Sequence, residues 1–95
     1  APATPTRLFD RSQRRAVLDR LETGEKLAVI SHGIDTDQAG LIRMPRDAEG
    51  YARELYAAMH RADDAGADAI LIELPDAEGQ VWSAIRDRLR RAAAG

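Results

Sequence analysis

The sequence predicts a small Rossmann-like α/β domain: three layers, with a mostly parallel sheet of about four strands and about three helices. Three observations predict it. Residues 27–30 and 69–74 are apolar runs without alternation, the latter interrupted only by Glu73, as expected of strands buried on both faces. The segments between and after them repeat their apolar residues on one helical face. Strand and helix patterns alternate along the chain, so right-handed crossovers would place the helices on the sheet faces. The pattern leaves the strand order open.

Residues 1–6 carry two prolines and two threonines and read as a linker stub or tail, leaving 7–95 as the single domain. A start at Ala1 instead of methionine fits a processed chain. Arg7, Leu8 and Phe9 are a candidate short strand. Asp10 and Ser12 each offer an N-cap. Behind them, Val17, Leu18 and Leu21 make a narrow helical face over 13–23, closed by Gly24. The run 27–30 is too short for a helix between Gly24 and Gly33. The polar stretch 31–38 is a loop. Residues 41–44 suggest a further strand; Arg43 suits an edge position, and Pro45 ends it. Asp47 is the expected N-cap of the longest helix. At about 100° per residue, Ala48, Tyr51, Ala52, Leu55, Tyr56, Met59 and Ala62 share one arc, and Gly66 terminates it. Pro75 and Asp76 begin the turn into a last helix, with Val81, Trp82, Ile85, Leu89 and Ala92 along one face.

Composition bounds the function classes. The chain has 95 residues and is 44% hydrophobic, but 18 residues are alanine, which leaves enough large side chains for one modest core. Lys and Arg number 14 against 16 Asp and Glu, a net charge of −2. That balance argues against direct nucleic-acid binding and gives no drive toward anionic membrane. No apolar run approaches the length of a membrane span, and no basic-then-apolar leader marks the chain for secretion. The absence of cysteine excludes disulfides, thiolate zinc sites and cysteine nucleophiles. The expected location is cytoplasmic.

The candidate ligand-binding residues are Ser31, His32, Gly33 and Glu73. The first three follow a buried strand, and open α/β sheets bind ligands beyond the carboxyl ends of their strands. Glu73 reaches the same sheet end if the strands are parallel, where a strand-end carboxylate can bind a ligand or act as a base. The loop is not a phosphate loop, because no lysine follows its glycine and no helix begins there. Ser31 and His32 are not a nucleophile–base pair, because adjacent strand residues point to opposite faces. His32, Asp35 and Asp37 carry metal-binding groups but read as a solvated turn, so no metal and no catalytic residue are assigned. His60 lies on the flank of its helix. The arginines of 86–91 scatter over about 200° of the wheel and form no stripe for a phosphate backbone. Trp82, Tyr51 and Tyr56 read as packing residues.

Two stretches carry a resemblance. Tyr51-Ala52-Arg53-Glu54-Leu55-Tyr56-Ala57-Ala58-Met59-His60-Arg61-Ala62-Asp63 with Gly66-Ala67-Asp68-Ala69-Ile70-Leu71-Ile72-Glu73 is one; Ala84-Ile85-Arg86-Asp87-Arg88-Leu89-Arg90-Arg91-Ala92 is the other. Together they resemble the C-terminal accessory domain of the two-domain threonylcarbamoyl-AMP synthases, a family also described as translation factors. The resemblance covers roughly 7–93 and is most specific from Tyr51 onward. It implies a Rossmann-like domain joined to an N-terminal catalytic domain, which is the expected partner. The full enzyme uses ATP, bicarbonate and threonine, and its product supplies the threonylcarbamoyl group on adenosine 37 of some tRNAs. The family's catalytic signature, a lysine–arginine pair followed by a serine–asparagine pair, is not carried by this chain, which contains no asparagine. ATP is therefore implied for the full-length enzyme, and no cofactor for this chain. Before Trp82 the family's glycine-rich approach is replaced by Asp76-Ala77-Glu78-Gly79-Gln80-Val81.

The reading is a non-catalytic regulatory or docking domain of a tRNA-modifying synthase. The alternative is a stand-alone small-molecule or nucleotide-binding domain with its pocket at the strand ends. A weak hydrolase is the third reading, and the lack of a paired nucleophile and base speaks against it.

Overall fold

The computed structural model describes residues 3–94. Its strands are β1 (Thr6–Phe9), β2 (Leu27–Ser31), β3 (Leu41–Arg43) and β4 (Ala69–Glu73), and its helices are α1 (Arg14–Glu22), α2 (Ala48–Asp64) and α3 (Gln80–Ala94). All four strands are parallel, in the order β1-β4-β2-β3. The three-layer α/β fold read from the sequence is the fold observed. The strands built on the two apolar runs, β2 and β4, are the central strands, and the arginine-bearing β3 lies on an edge.

Parity divides the core. Side chains alternate across a strand, so Val29 and Leu71 face α1 and pack with Phe9, Val17, Leu21 and Ile34. Their neighbours Ile30, Ile70 and Ile72 face α2 and α3 and pack with Tyr51, Leu55, Trp82, Ile85 and Leu89. Full burial of such side chains is worth about 1.5–3 kcal/mol each, so the larger α2/α3 layer holds most of the apolar stabilisation.

Local signals set the element ends. Asp10 caps a 3-10 turn, Arg11–Gln13, with a reciprocal capping box to Gln13, and this turn leads into α1. Asp47 caps α2, its carboxylate accepting from the Gly50 amide at 2.8 Å. Gly24 and Gly66 follow α1 and α2 with φ of +87° and +72°, a left-handed conformation that glycine adopts without strain. At the other end of the chain, the Thr4 amide and hydroxyl donate to the Asp63 carboxylate at 2.9 and 2.7 Å. This ties the segment before β1 to the last turn of α2.

Two side chains depart from the arcs read from the sequence. Tyr56 is 70% exposed and Val81 43%. The buried residues of α2 centre on Tyr51, Leu55, Ala58 and Ala62, and Tyr56 lies about 140° around the helix from Tyr51. Trp82, Ile85 and Leu89 are the buried face of α3, one position past Val81.

Candidate functional site

β2 and β4 end side by side at their carboxyl ends, and the connections that follow them meet there. Ser31 has the parity of Val29, and Glu73 that of Leu71, so both point to the α1 side. Glu73 is 1% exposed. A buried carboxylate requires a partner, and Arg14 of α1 supplies it. The Arg14 Nε donates to Glu73 Oε1 at 2.8 Å and Nη2 to Oε2 at 2.6 Å, a bidentate geometry that is the strongest form of this pair. That hydrogen bonding holds the Arg14 guanidinium above its ordinary pKa. Ser31 Oγ donates to Glu73 Oε1 at 2.8 Å and accepts from the Gly33 and Ile34 amides at 3.1 and 3.2 Å.

Gly33 completes this arrangement. The Arg14 guanidinium lies over its Cα, where a Cβ would overlap Nη2. Any side chain at residue 33 must push Arg14 away from Glu73.

His32 points to the other face. Its ring lies 6.0 Å from the Tyr51 ring, edge-on, and 5.5 Å from that of Trp82. Burial lowers its pKa, with the charge of Glu73 acting in the opposite direction. Burial, reinforced by Glu73, raises the Tyr51 hydroxyl. Among the described residues, His32 Nδ1 and Tyr51 Oη are buried side-chain atoms without a hydrogen-bond partner.

The four residues singled out in the sequence thus converge on one sheet end but divide between its faces. Ser31, Gly33 and Glu73 join Arg14 on the α1 side, while His32 joins Tyr51 and Trp82 on the α2/α3 side. Arg14 was missed. The signal was available: Glu73 has inward parity, and in a parallel sheet the first turn of α1 lies at the same end as the close of β4. The arginine run of α3 is divided as well. Arg86 donates to the Pro75 and Ala77 carbonyls at 3.0 and 2.7 Å, fixing the β4–α3 connection, and Arg91 pairs with Asp87 at 2.6 Å. Asp35 and Asp37 pair with Arg43 at 3.1 and 3.4 Å. Among the described residues, no group of three or more His, Asp or Glu side chains is placed to hold a metal ion, and no helix is long and apolar enough to cross a membrane.

A family model described as threonylcarbamoyl-AMP synthase, C-terminal domain, matches residues 1–94. The chain belongs to that family. It is also similar to a solved structure of a doubly substituted P. abyssi Sua5, with 25% identity and a TM-score of 0.72 over 99% of this chain. The chain spans 29% of the length of that protein. No curated protein matches the sequence in a direct comparison.

Proposed function

We propose that this domain is a non-catalytic regulatory and docking module of a threonylcarbamoyl-AMP synthase, acting in the cytoplasm in threonylcarbamoyladenosine modification of tRNA. The observation that carries the reading is the match to the family's C-terminal domain over residues 1–94. The chemistry of the strand ends supports it. Ser31 is fully buried, and its Oγ is committed to Glu73 and two amides, so it is not available as a nucleophile. Glu73 is committed to Arg14 and is not available as a base. ATP, bicarbonate and threonine then belong to the N-terminal catalytic domain. The test is to remove this domain from the intact synthase and measure threonylcarbamoyl-AMP formation. A several-fold change in kcat or KM, reversed by adding the separate domain, is the expected result. Unchanged kinetics would remove the regulatory role.

A second reading, a small-molecule site at the strand ends, draws on the unpartnered His32 Nδ1 and Tyr51 Oη. A buried polar group without a partner costs about 1–3 kcal/mol, and a ligand that supplies one offsets that cost. Such a ligand would approach on the His32 side, since Ser31, Gly33 and Glu73 are closed over by Arg14. NMR titration with ATP, AMP, pyrophosphate and threonine separates the readings. Shifts centred on His32, Gly33 and Tyr51 support the site, whereas shifts confined to the opposite sheet end, around Lys26 and Asp68, would refute it.

A further inference from the structure

A groove of about 400 Å³ runs between α2 and α3 on the outer face of the domain. Its lining includes Leu55 and Met59 from α2, Ala92 from α3, and the cations Arg88 and Arg91. Tyr56, 70% exposed, also lines it and meets His60 one turn along in a tilted contact, with ring centroids 4.4 Å apart. Exposed tyrosine beside arginine over an apolar surface is the composition that concentrates binding energy at protein interfaces. Arg88 has no ion pair among the described residues, and Arg91 is shared only with the exposed Asp87.

The groove also includes Asp63. This is the residue that binds the Thr4 amide and hydroxyl and, at 3.3 Å, the Ala3 amide. Those hydrogen bonds, the Thr4 hydroxyl first, hold the Asp63 carboxyl below its ordinary pKa. The chain therefore approaches β1 past the groove. An extended chain advances at most about 3.5 Å per residue, so a few residues upstream of Ala3 suffice to reach along it.

We infer that this groove seats the polypeptide immediately upstream of residue 1 in the intact synthase, through an apolar side chain packed against Tyr56 and a carboxylate received by Arg88 and Arg91. The inference rests on the docking role proposed above and names its surface. The domain corresponds to 29% of the P. abyssi protein and to the C-terminal part of the family's synthase, so the polypeptide that precedes it is the nearest partner. Its tether at Asp63 gives it a high effective concentration at the groove. The net charge of −2 and the Asp63 carboxylate disfavour a phosphodiester backbone in the same place.

The experiment is hydrogen exchange on the intact synthase, comparing wild type with Tyr56→Ala, Arg88→Glu and the control Glu54→Ala. All three positions are exposed, and thermal melts verify that each variant folds. The expected result is a several-fold rise in exchange of the upstream segment in the first two variants and no rise in the control. Unchanged upstream exchange in an active synthase would overturn the groove while leaving the accessory role intact. If the intact wild-type protein makes no threonylcarbamoyl-AMP, both readings fall. A wild-type dimer that dissociates on Tyr56→Ala would overturn the inference in favour of a second copy of the chain.

Discussion

At the level of single residues, Arg14 and Glu73 have unequal burdens. Glu73 is 1% exposed, while the Arg14 side chain retains 27% of its surface in water. Arg14→Ala leaves a buried carboxylate with no cation and is expected to cost about 3 kcal/mol. Glu73→Gln keeps an oxygen for Ser31 and leaves Arg14 free to turn toward solvent, so its expected cost is about 1–2 kcal/mol. The double variant should then be no less stable than Arg14→Ala alone; urea melts of the three proteins check this, and equal small losses would show the pair to be a bystander. His32 gives a pH signature. Burial lowers its pKa below the ordinary 6.5. As pH falls below about 6.5, the unfolded chain binds a proton on this ring before the folded chain does, so folding free energy is lost. The contribution is complete above 6.5 and declines as pH falls toward the lowered native value. His32→Gln should flatten the stability profile in that window, and an unchanged slope would show that the imidazole is not desolvated.

At the level of elements, α3 is held through one face. Trp82, Ile85 and Leu89 are buried, whereas Arg90 is exposed. Trp82→Ala removes the largest of these side chains from the contact with His32 and Tyr51, at an expected cost of about 3–5 kcal/mol. Arg90→Ala, on the far side, should cost well under 1 kcal/mol. Paired urea melts followed by circular dichroism decide it, since that signal does not depend on the tryptophan; equal losses would mean that α3 is not docked through Trp82. The elements were legible because each carried a local signal: Asp47 as a cap, Gly24 and Gly66 as stops, and apolar runs without alternation in β2 and β4. Tyr56 was not legible as an exposed residue. Its aromatic character places it with the core on a helical wheel, yet the buried stripe of α2 is narrow and is set by where the sheet lies. Sequence periodicity reports the existence of a face, while its width comes from the packing partner.

At the level of the whole molecule, strand order decides which residues meet. Nothing in the sequence states that β4 inserts between β1 and β2, yet that insertion sets the close of β4 beside that of β2 and brings Glu73 next to Ser31. The candidate site was therefore legible as a sheet end, from Ser31, His32, Gly33 and Glu73, with Ser31 and His32 on opposite faces by strand parity, but its closure by Arg14 on one face and Tyr51 on the other was not. This division bears on catalysis. A synthase must activate bicarbonate and threonine and stabilise charge developing on a phosphoryl group, which calls for unpaired donors and cations converging on one space. Here Arg14 is engaged by Glu73, Ser31 Oγ is engaged three times, and His32 lies across the sheet. The purified chain, incubated with ATP, bicarbonate and threonine, is accordingly expected to form no threonylcarbamoyl-AMP above a protein-free control. Detection by mass spectrometry of the adenylate, with pyrophosphate release as a second readout, makes the measurement independent of coupling enzymes. Turnover that survives repurification and disappears in Arg14→Ala would place the active chemistry at this sheet end and end the accessory-domain reading.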